Sequence, residues 1–317
     1  MKKVDKLYIG TRGSKLALWQ AEWVKAELQN KYPEIEIIIK KIKTTGDKML
    51  DVSLAKIGGK GLFVKEIEDA LLQHKVDIAV HSMKDVPTEL PERLHLAAIC
   101  RREDPRDALI TKIHDSRFKI QNFNDLPHGA IIGTSSLRRS CQLMHLRPDL
   151  KIVTLRGNLD TRIRKLDEGD FDAIIAAVAG LKRLGLSQRI TEILQPDTSL
   201  PAIGQGAIGV ECRIDDESIN SIVSSINHFE TSVSVKAERA FLKRLGGGCQ
   251  VPIAAFARIE LERIIMDGLV GSMKGERIIK GHVEGKPNSA EELGTNLAED
   301  LLIKGATEIL SEVYNRL

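Results

Sequence analysis

The chain has 317 residues, too many for one ordinary hydrophobic core and enough for two or three domains. Its 42% hydrophobic and 29% charged residues describe a soluble globular protein, and a net charge of only +3 with 4% aromatics excludes a nucleic-acid surface built from a basic face and stacking rings. Cys100, Cys141, Cys212 and Cys249 lie tens of residues apart with no C-x-x-C pair, which argues against a zinc site, or any other metal site, and against a disulfide framework.

The opening Met1-Lys2-Lys3-Val4-Asp5-Lys6 carries charges without an apolar h-region, and the longest apolar run, Ala173 to Leu181, is too short to span a bilayer. The expectation is a cytoplasmic protein with reduced thiols and no membrane partner. A first strand, Leu7-Tyr8-Ile9, enters the polar turn Gly10-Thr11-Arg12-Gly13-Ser14 and a helix with Leu16, Trp19, Trp23 and Ala26 on one face. A second, Ile35 to Ile39, leads to Thr44-Thr45-Gly46-Asp47. Ile57-Gly58-Gly59-Lys60-Gly61 reads as a flexible loop that carries a lysine into the helix Leu62 to Gln73, and is a candidate lid. The short strand Asp77 to Val80 runs straight into His81-Ser82-Met83-Lys84-Asp85-Val86-Pro87.

A composition shift at Arg101 to Arg106 marks a crossing between domains, after which the same grammar returns. Strand Ala130 to Ile132 enters Gly133-Thr134-Ser135-Ser136-Leu137-Arg138-Arg139 and a helix. Strand Ile152 to Leu155 enters Arg156-Gly157-Asn158 and a helix holding Arg162, and strand Asp172 to Val178 ends at Gly180-Leu181-Lys182-Arg183. Alternating strands and helices predict parallel sheets, whose ligands bind at the carboxyl ends of the strands. Ser199 to Gly206 is a second hinge, followed by the strand-like Ala207 to Glu211, and two hinges predict two lobes around a cleft. After Asn220 a helix with Val233, Ala237, Ala240 and Phe241 on one face leads to Cys249, then to strands near Ile253 to Ile259, Ile264 to Val270 and Arg277 to Val283. Two helices close the chain, striped by Leu293, Leu297 and Leu301 and by Ala306, Ile309, Leu310 and Val313. This is a small α/β third domain.

In Leu245-Gly246-Gly247-Gly248-Cys249-Gln250-Val251-Pro252 three glycines end a helix and a proline forbids the next, so Cys249 stands on a short exposed turn. Such a thiol is a nucleophile, an attachment point for a covalent group, or an ordinary residue at a helix C-cap. Arg138 and Arg139 would oppose the positive end of their own helix dipole at about 0.3–1 kcal/mol each, so something negative belongs beside them. Free N–H groups, hydroxyls and guanidinium forks there make an anion site that suits carboxylates as well as phosphates. Arg12, Arg156, Arg162 and Arg183 occupy similar elbows; the plainer alternative is that each pairs with surface Asp or Glu. Asp85 is a single carboxylate in a cleft otherwise cationic, placed to stabilise a positive intermediate or move a proton, unless it only closes an Asx-turn before Pro87. His81 reads as a core or turn histidine. Gly58 to Gly61 lacks the ending of a phosphate-binding P-loop. Together these features demand a substrate with many carboxylates and an intermediate with positive charge.

The motifs Gly10 to Ser14, Gly58-Gly59-Lys60-Gly61-Leu62-Phe63, His81 to Pro87, Gly133 to Arg139, Leu155 to Asn158, Gln205-Gly206 and Gly247 to Pro252, with Glu238-Arg239 ahead of the cysteine, resemble those of the porphobilinogen deaminase (hydroxymethylbilane synthase) family over nearly the whole chain. The resemblance implies an α/β protein of three domains. The first two are like a periplasmic binding protein with a cleft between them, at 1–101 plus 205–224 and at 105–200, and the third, 228–317, carries the cofactor cysteine. It further implies a dipyrromethane cofactor held by Cys249 through a thioether, with the sulfur an anchor and not a turnover nucleophile. Asp85 would assist loss of ammonia from porphobilinogen and stabilise the azafulvenium cation. Four couplings would build a hexapyrrole, and hydrolysis would release hydroxymethylbilane, the substrate of uroporphyrinogen III synthase. Arg12, Arg138, Arg139, Arg156, Arg162 and Arg183, with Ser14, Ser82, Lys84, Thr134, Ser136, Gln205 and Gly206, would bind the pyrrole acetates and propionates. Lys60 and Phe63 would belong to the mobile loop, and the enzyme would be a cytoplasmic monomer. A non-catalytic two-lobed anion-binding module is the alternative, and it predicts no need for Cys249. A cysteine hydrolase, a lesser rival, predicts a depressed thiol pKa.

Overall fold

The computed structural model describes residues 4–48, 64–112, 120–248 and 251–315. The strands in chain order are β1 (Lys6–Thr11), β2 (Glu36–Lys41), β3 (Ile78–Ser82), β4 (Leu94–Ile99), β5 (Asp107–Thr111), β6 (Ile131–Gly133), β7 (Lys151–Val153), β8 (Ala173–Ala177), β9 (Glu192–Leu194) and β10 (Ile208–Arg213). They form two five-stranded sheets, ordered β2-β1-β3-β10-β4 and β7-β6-β8-β5-β9. Strand β10 lies between β3 and β4, so the chain leaves the first sheet after β4, builds the second, and returns. Both sheets are mixed, which corrects the expectation of parallel ones. β1, β2 and β3 are parallel, as are β6, β7 and β8, but β10 and β5 run antiparallel to their neighbours. The reason is topological. β5 and β10 are fed by the crossings between lobes rather than by a helix that reverses the chain, so they enter from the opposite end.

Each central strand is buried on both faces, with successive side chains going to opposite cores. Ile78 and Val80 join the cluster of Leu7, Ile9 and Val210, while Ala79 joins that of Ile67 and Leu71. In the second lobe Ile110 and Ile174 pack to one side and Leu109 and Ile175 to the other.

Helix α1 (Lys15–Lys31) follows β1, and a single turn, α2 (Thr45–Lys48), follows β2. Helix α3 (Lys65–Leu72) precedes β3. The α1 side that faces the core carries Gln20, Ala21, Val24 and Leu28, and of the stripe Leu16, Trp19, Trp23 and Ala26 read from the sequence only Trp23 packs against that core. Trp19 is instead 37% exposed, and its ring lies under the Arg183 guanidinium at 5.6 Å from its centroid. Leu16 sits where a side chain on Gly180 would touch it at 3.7 Å. Leu16 and Trp19, at the start of that spacing, therefore mark the end of the helix turned to the other lobe.

In the second lobe α4 (Leu137–Leu146) follows β6, α5 (Leu159–Glu168) follows β7 and α6 (Val178–Arg183) follows β8 directly. Helix α7 (Glu217–Ser224) then packs on β4 and β10, and α8 (Phe229–Arg244) opens the third domain. This last unit has an antiparallel sheet, β11 (Ile253–Glu260), β12 (Arg263–Gly271) and β13 (Ile278–Gly285), covered by α8, α9 (Ala290–Leu301) and α10 (Thr307–Tyr314). Its core gathers Phe241, Met266, Leu297, Leu301, Ile309 and Val313, including both stripes expected of the closing helices.

The two crossings touch. Gly206 has φ +89°, and a Cβ there would lie 2.3 Å from the Glu103 carbonyl oxygen, so only glycine lets the return strand pass the outgoing one.

Candidate active site

Because β1 and β3 are parallel, Arg12 and the Lys84-Asp85 pair leave the first sheet at the same edge. Arg12 is half-buried there, and Ser14 caps α1, its Oγ accepting from the Ala17 N–H at 3.2 Å. Ser82 ends β3 and exchanges hydrogen bonds with the buried Gln20, whose Nε2 lies 2.9 Å from Ser82 Oγ. Met83–Asp85 then form one 3₁₀ turn, with Met83 driven into the core and Asp85 left exposed. That alternation of anchor and display fixes where the carboxylate stands. His81 is a core pair, its Nε2 2.9 Å from Glu211 Oε2.

Facing it, β6 ends at Gly133 and the Thr134-Ser135-Ser136 elbow starts α4. Thr134 Oγ1 accepts from the Ser136 N–H at 3.2 Å, and Ser136 Oγ accepts from the Arg139 N–H as the N-cap. Thr134 and Ser136 are thus cap residues that shape the elbow. Arg138 and Arg139 are buried, each 5% exposed, and the expected negative group is Asp107. Arg138 Nη1 donates to Asp107 Oδ2 at 2.8 Å, and Arg139 donates to Oδ1 from Nη2 at 2.6 Å and Nε at 3.1 Å. Burial alone would raise the Asp107 pKa, but the two guanidiniums outweigh it and hold the carboxyl well below its usual range.

Arg162 lies in the first turn of α5 with its Nε on the Gly157 carbonyl at 2.8 Å. Arg183 falls in the last turn of α6 rather than at a strand elbow, donating to the Gly206 carbonyl at 2.7 Å. Gln205 Nε2 donates to the Pro105 carbonyl at 2.6 Å and to Asp107 at 2.9 Å. Arg156 is half-buried beyond β7, at the same sheet edge as the α4 elbow.

The structure brings Lys84, Asp85, Arg138, Arg139 and Arg162 into one electrostatic neighbourhood. Loss of water lowers Lys84 to about 8, with Asp85 and Asp107 opposing that fall and Arg139 and Arg138 adding to it. Burial likewise lowers Arg162 to about 10, helped by Arg139 and opposed by Asp85. Arg183 falls to about 10 by burial as well. Among the described residues several cations therefore surround one exposed carboxylate, a donor set suited to a ligand bearing several carboxylates. Cys249, Lys60 and Phe63 lie outside the described residues, but what flanks the cysteine does not. Ala254, five residues on, packs with Cys141 and Leu200 against the arginine-bearing helix α4. Arg239 of α8 donates to the Val86 and Pro87 carbonyls at 3.1 and 2.6 Å, just beyond Asp85. Burial pushes the thiols of Cys100, Cys141 and Cys212 up to about 12, so they are inert.

Asp107 and Gln20 escaped the sequence reading. The composition shift stopped at Arg106, one residue short of the acid, and the signal for Asp107 was its place at the head of the otherwise apolar Ala108-Leu109-Ile110. Gln20 gave no signal beyond being a polar residue one position from an apolar stripe.

Residues 7–221 match the family described as porphobilinogen deaminase, dipyromethane cofactor binding domain, and residues 232–303 match porphobilinogen deaminase, C-terminal domain. The porphobilinogen deaminase of Geotalea uraniireducens is 55% identical over 310 residues, covering 98% of this chain and 95% of that one. That of Pelobacter propionicus is 54% identical over 98% of both chains. Among solved structures, the methionine binding protein MetQ is loosely similar, with a TM-score of 0.44 and 14% identity over 70% of this chain and 89% of that one. Among the described residues no helix is long and apolar enough to cross a membrane. The two matched segments occur in their family order, the relatives run nearly the full length, and the cationic cleft suits a carboxylate-rich cofactor: the chain belongs to the porphobilinogen deaminase family.

Proposed function

We propose that the chain is a transferase that joins four porphobilinogen units head to tail, with loss of one ammonia each, and releases hydroxymethylbilane by hydrolysis. The observation that carries this reading is the exposed carboxylate of Asp85, the only one displayed among Lys84, Arg139 and Arg162 in the described residues. Lys84, Arg138 and Arg162 bind the acetate and propionate groups and hold the pyrrole in place, while Arg139 adds its positive charge to the site. Asp85 sits against the ring nitrogen, where its negative charge favours departure of ammonia and the azafulvenium cation left behind. After ring coupling the same carboxylate helps remove the proton from the attacked carbon. When bound, the dipyrromethane supplies the pyrrole carbon to which the first substrate is joined.

Cys249 is the attachment point that the family motif Gly247 to Pro252 implies, and the described thiols, Cys100, Cys141 and Cys212, are buried. Arg12, Arg156 and Arg183, with Ser14 and Ser82, complete the carboxylate sites, and Lys60 and Phe63 close over the cleft. We place the protein in the cytoplasm as a monomer that hands its product to uroporphyrinogen III synthase.

The test is the intact mass of the purified protein with peptide mapping around Cys249. An excess equal to two porphobilinogen units, each less ammonia, on that residue is expected. A bare thiol that stays bare after incubation with porphobilinogen would sink the reading and favour an anion-binding module.

The pH dependence has a definite sign. Because Lys84 is lowered to about 8, the charge that attracts a carboxylate is present below that pH and lost above it. The KM for porphobilinogen is therefore expected to climb on the alkaline side of pH 8, at a pH where an ordinary lysine would stay charged. Lys84→Arg should abolish that limb, and an unchanged limb in the variant would assign it to another group.

A further inference from the structure

Asp107 is fully buried at the head of β5, the first residue beyond the crossing into the second lobe. Its two oxygens accept from four side chains. Arg138 Nη1 and Ser199 Oγ reach Oδ2 at 2.8 and 2.9 Å, while Arg139 and Gln205 Nε2 reach Oδ1 at 2.6 and 2.9 Å. A carboxylate offers about four lone-pair sites, so this one is saturated. Its donors come from two places, the first turn of α4 and the second crossing, whose Ser199 and Gln205 lie 92 and 98 residues away in sequence. One acid thus ties the arginine elbow to both hinges.

The two guanidiniums are not held alike. Arg139 is engaged through Nε, Nη1 and Nη2, with Nη1 on the Ile175 carbonyl at 3.0 Å. Arg138 is engaged through Nη1 alone, shared between Asp107 and the Leu200 carbonyl, both at 2.8 Å. Its Nε and Nη2 edge makes no hydrogen bond to protein groups among the described residues, and that edge is the fork which grips a carboxylate through two parallel hydrogen bonds. A single buried acid also neutralises only one of two adjacent positive charges, leaving the elbow cationic.

We propose that Asp107 is a positioning residue: it aims the open fork of Arg138 into the cleft, holds Arg139 as a strut, and locks both to the hinge through Ser199 and Gln205. The inference rests on the deaminase reading, and its test separates the two. Apo protein is prepared, loading of Cys249 by porphobilinogen is followed by intact mass, and kcat, KM and thermal unfolding are measured on the loaded enzyme. Asp107→Glu keeps the charge and moves it by one methylene. It is expected to unfold cooperatively yet to load about 10- to 100-fold more slowly, since a displacement on the order of 1 Å at a binding fork costs that much. Ser199→Ala removes one uncharged donor and leaves the fold intact. It is expected to raise the KM for porphobilinogen about two- to fivefold at unchanged kcat, the effect of one lost hydrogen bond. Should Asp107→Glu fail to fold, Ser199→Ala decides alone. A folded Asp107→Glu that loads at the wild-type rate, or Ser199→Ala with wild-type KM, overturns the inference. Wild-type apo protein that never loads overturns the deaminase reading instead.

Discussion

Asp85→Asn is expected to lower kcat by about 10²- to 10⁴-fold, the range associated with loss of a positioned acid–base group, while leaving thermal unfolding where it is. Shape is kept and charge is lost. The side chain is exposed, so its replacement empties no cavity and strands no buried partner. What changes is the field around Asp85, whose charge acts on Lys84 and Arg162. With Asp107 already taken up by Arg138 and Arg139, a positive intermediate would form beside cations that no exposed carboxylate of the described residues opposes. KM is expected to stay level or fall, because removing the acid strengthens the pull on substrate carboxylates, and a loss confined to kcat is the signature of an interaction made only in the transition state. Steady-state kinetics beside a melting curve checks both halves. Turnover above about a tenth of wild type, short of the smallest such effect, would remove Asp85 from the chemistry.

The positions of these groups were legible to very different degrees. The strand-then-polar-elbow pattern located Lys84-Asp85 and Arg138-Arg139 because an apolar run ending in hydroxyls and charges reports the carboxyl end of a buried strand. Two arginines in the first turn of a helix also announced a missing negative charge, since nothing nearby in sequence balances them. The identity of that charge was out of reach. Asp107 meets them only because β5 runs antiparallel against β8, a pairing that no local pattern encodes. The same limit explains the parallel sheets that proved mixed. Trp19 and Leu16 mark another boundary: apolar spacing shows that a helix face is covered, but not whether by its own core or by the opposite lobe. Arg183 was placed at an elbow because Val178 continues the apolar run of β8, whereas the backbone turns helical there.

Glu238→Gln is expected to destabilise the protein by about 3–5 kcal/mol, as when one partner of a buried ion pair is removed. Glu238 is fully buried on α8 and accepts from four donors. Arg102 gives two bonds, at 2.6 and 3.2 Å, and the backbone N–H groups of Gly204 and Ala257 give one each, at 2.6 and 2.9 Å. Those donors come from the first crossing, the second crossing and β11 of the third domain. A glutamine amide turns one acceptor into a donor, so it points N–H at N–H and leaves the Arg102 charge without its counterion. Arg102 Nε also donates to the Gln205 carbonyl at 2.8 Å, so a loosened Arg102 frees the residue that contacts Asp107. The expected readout is a midpoint lowered by roughly 6–20 °C, from about 2–4 °C per kcal/mol, with kcat reduced even well below the melting range. Arg102→Met with Glu238→Met should recover part of the midpoint, because no lone charge remains, but not kcat, because Gly204 and Gln205 still lack their partners. If Glu238→Gln melts within about 1 kcal/mol of wild type, the value of an exposed ion pair, the third domain is held by its other contacts: Val235 against Met83, Val86 and Ile99, Arg239 on the Val86 and Pro87 carbonyls, and the apolar cluster with Cys141 of α4. The start of β11 would then owe its place to Ala254 and Leu269 against Cys141 and Leu200, and not to the charge at the hinge.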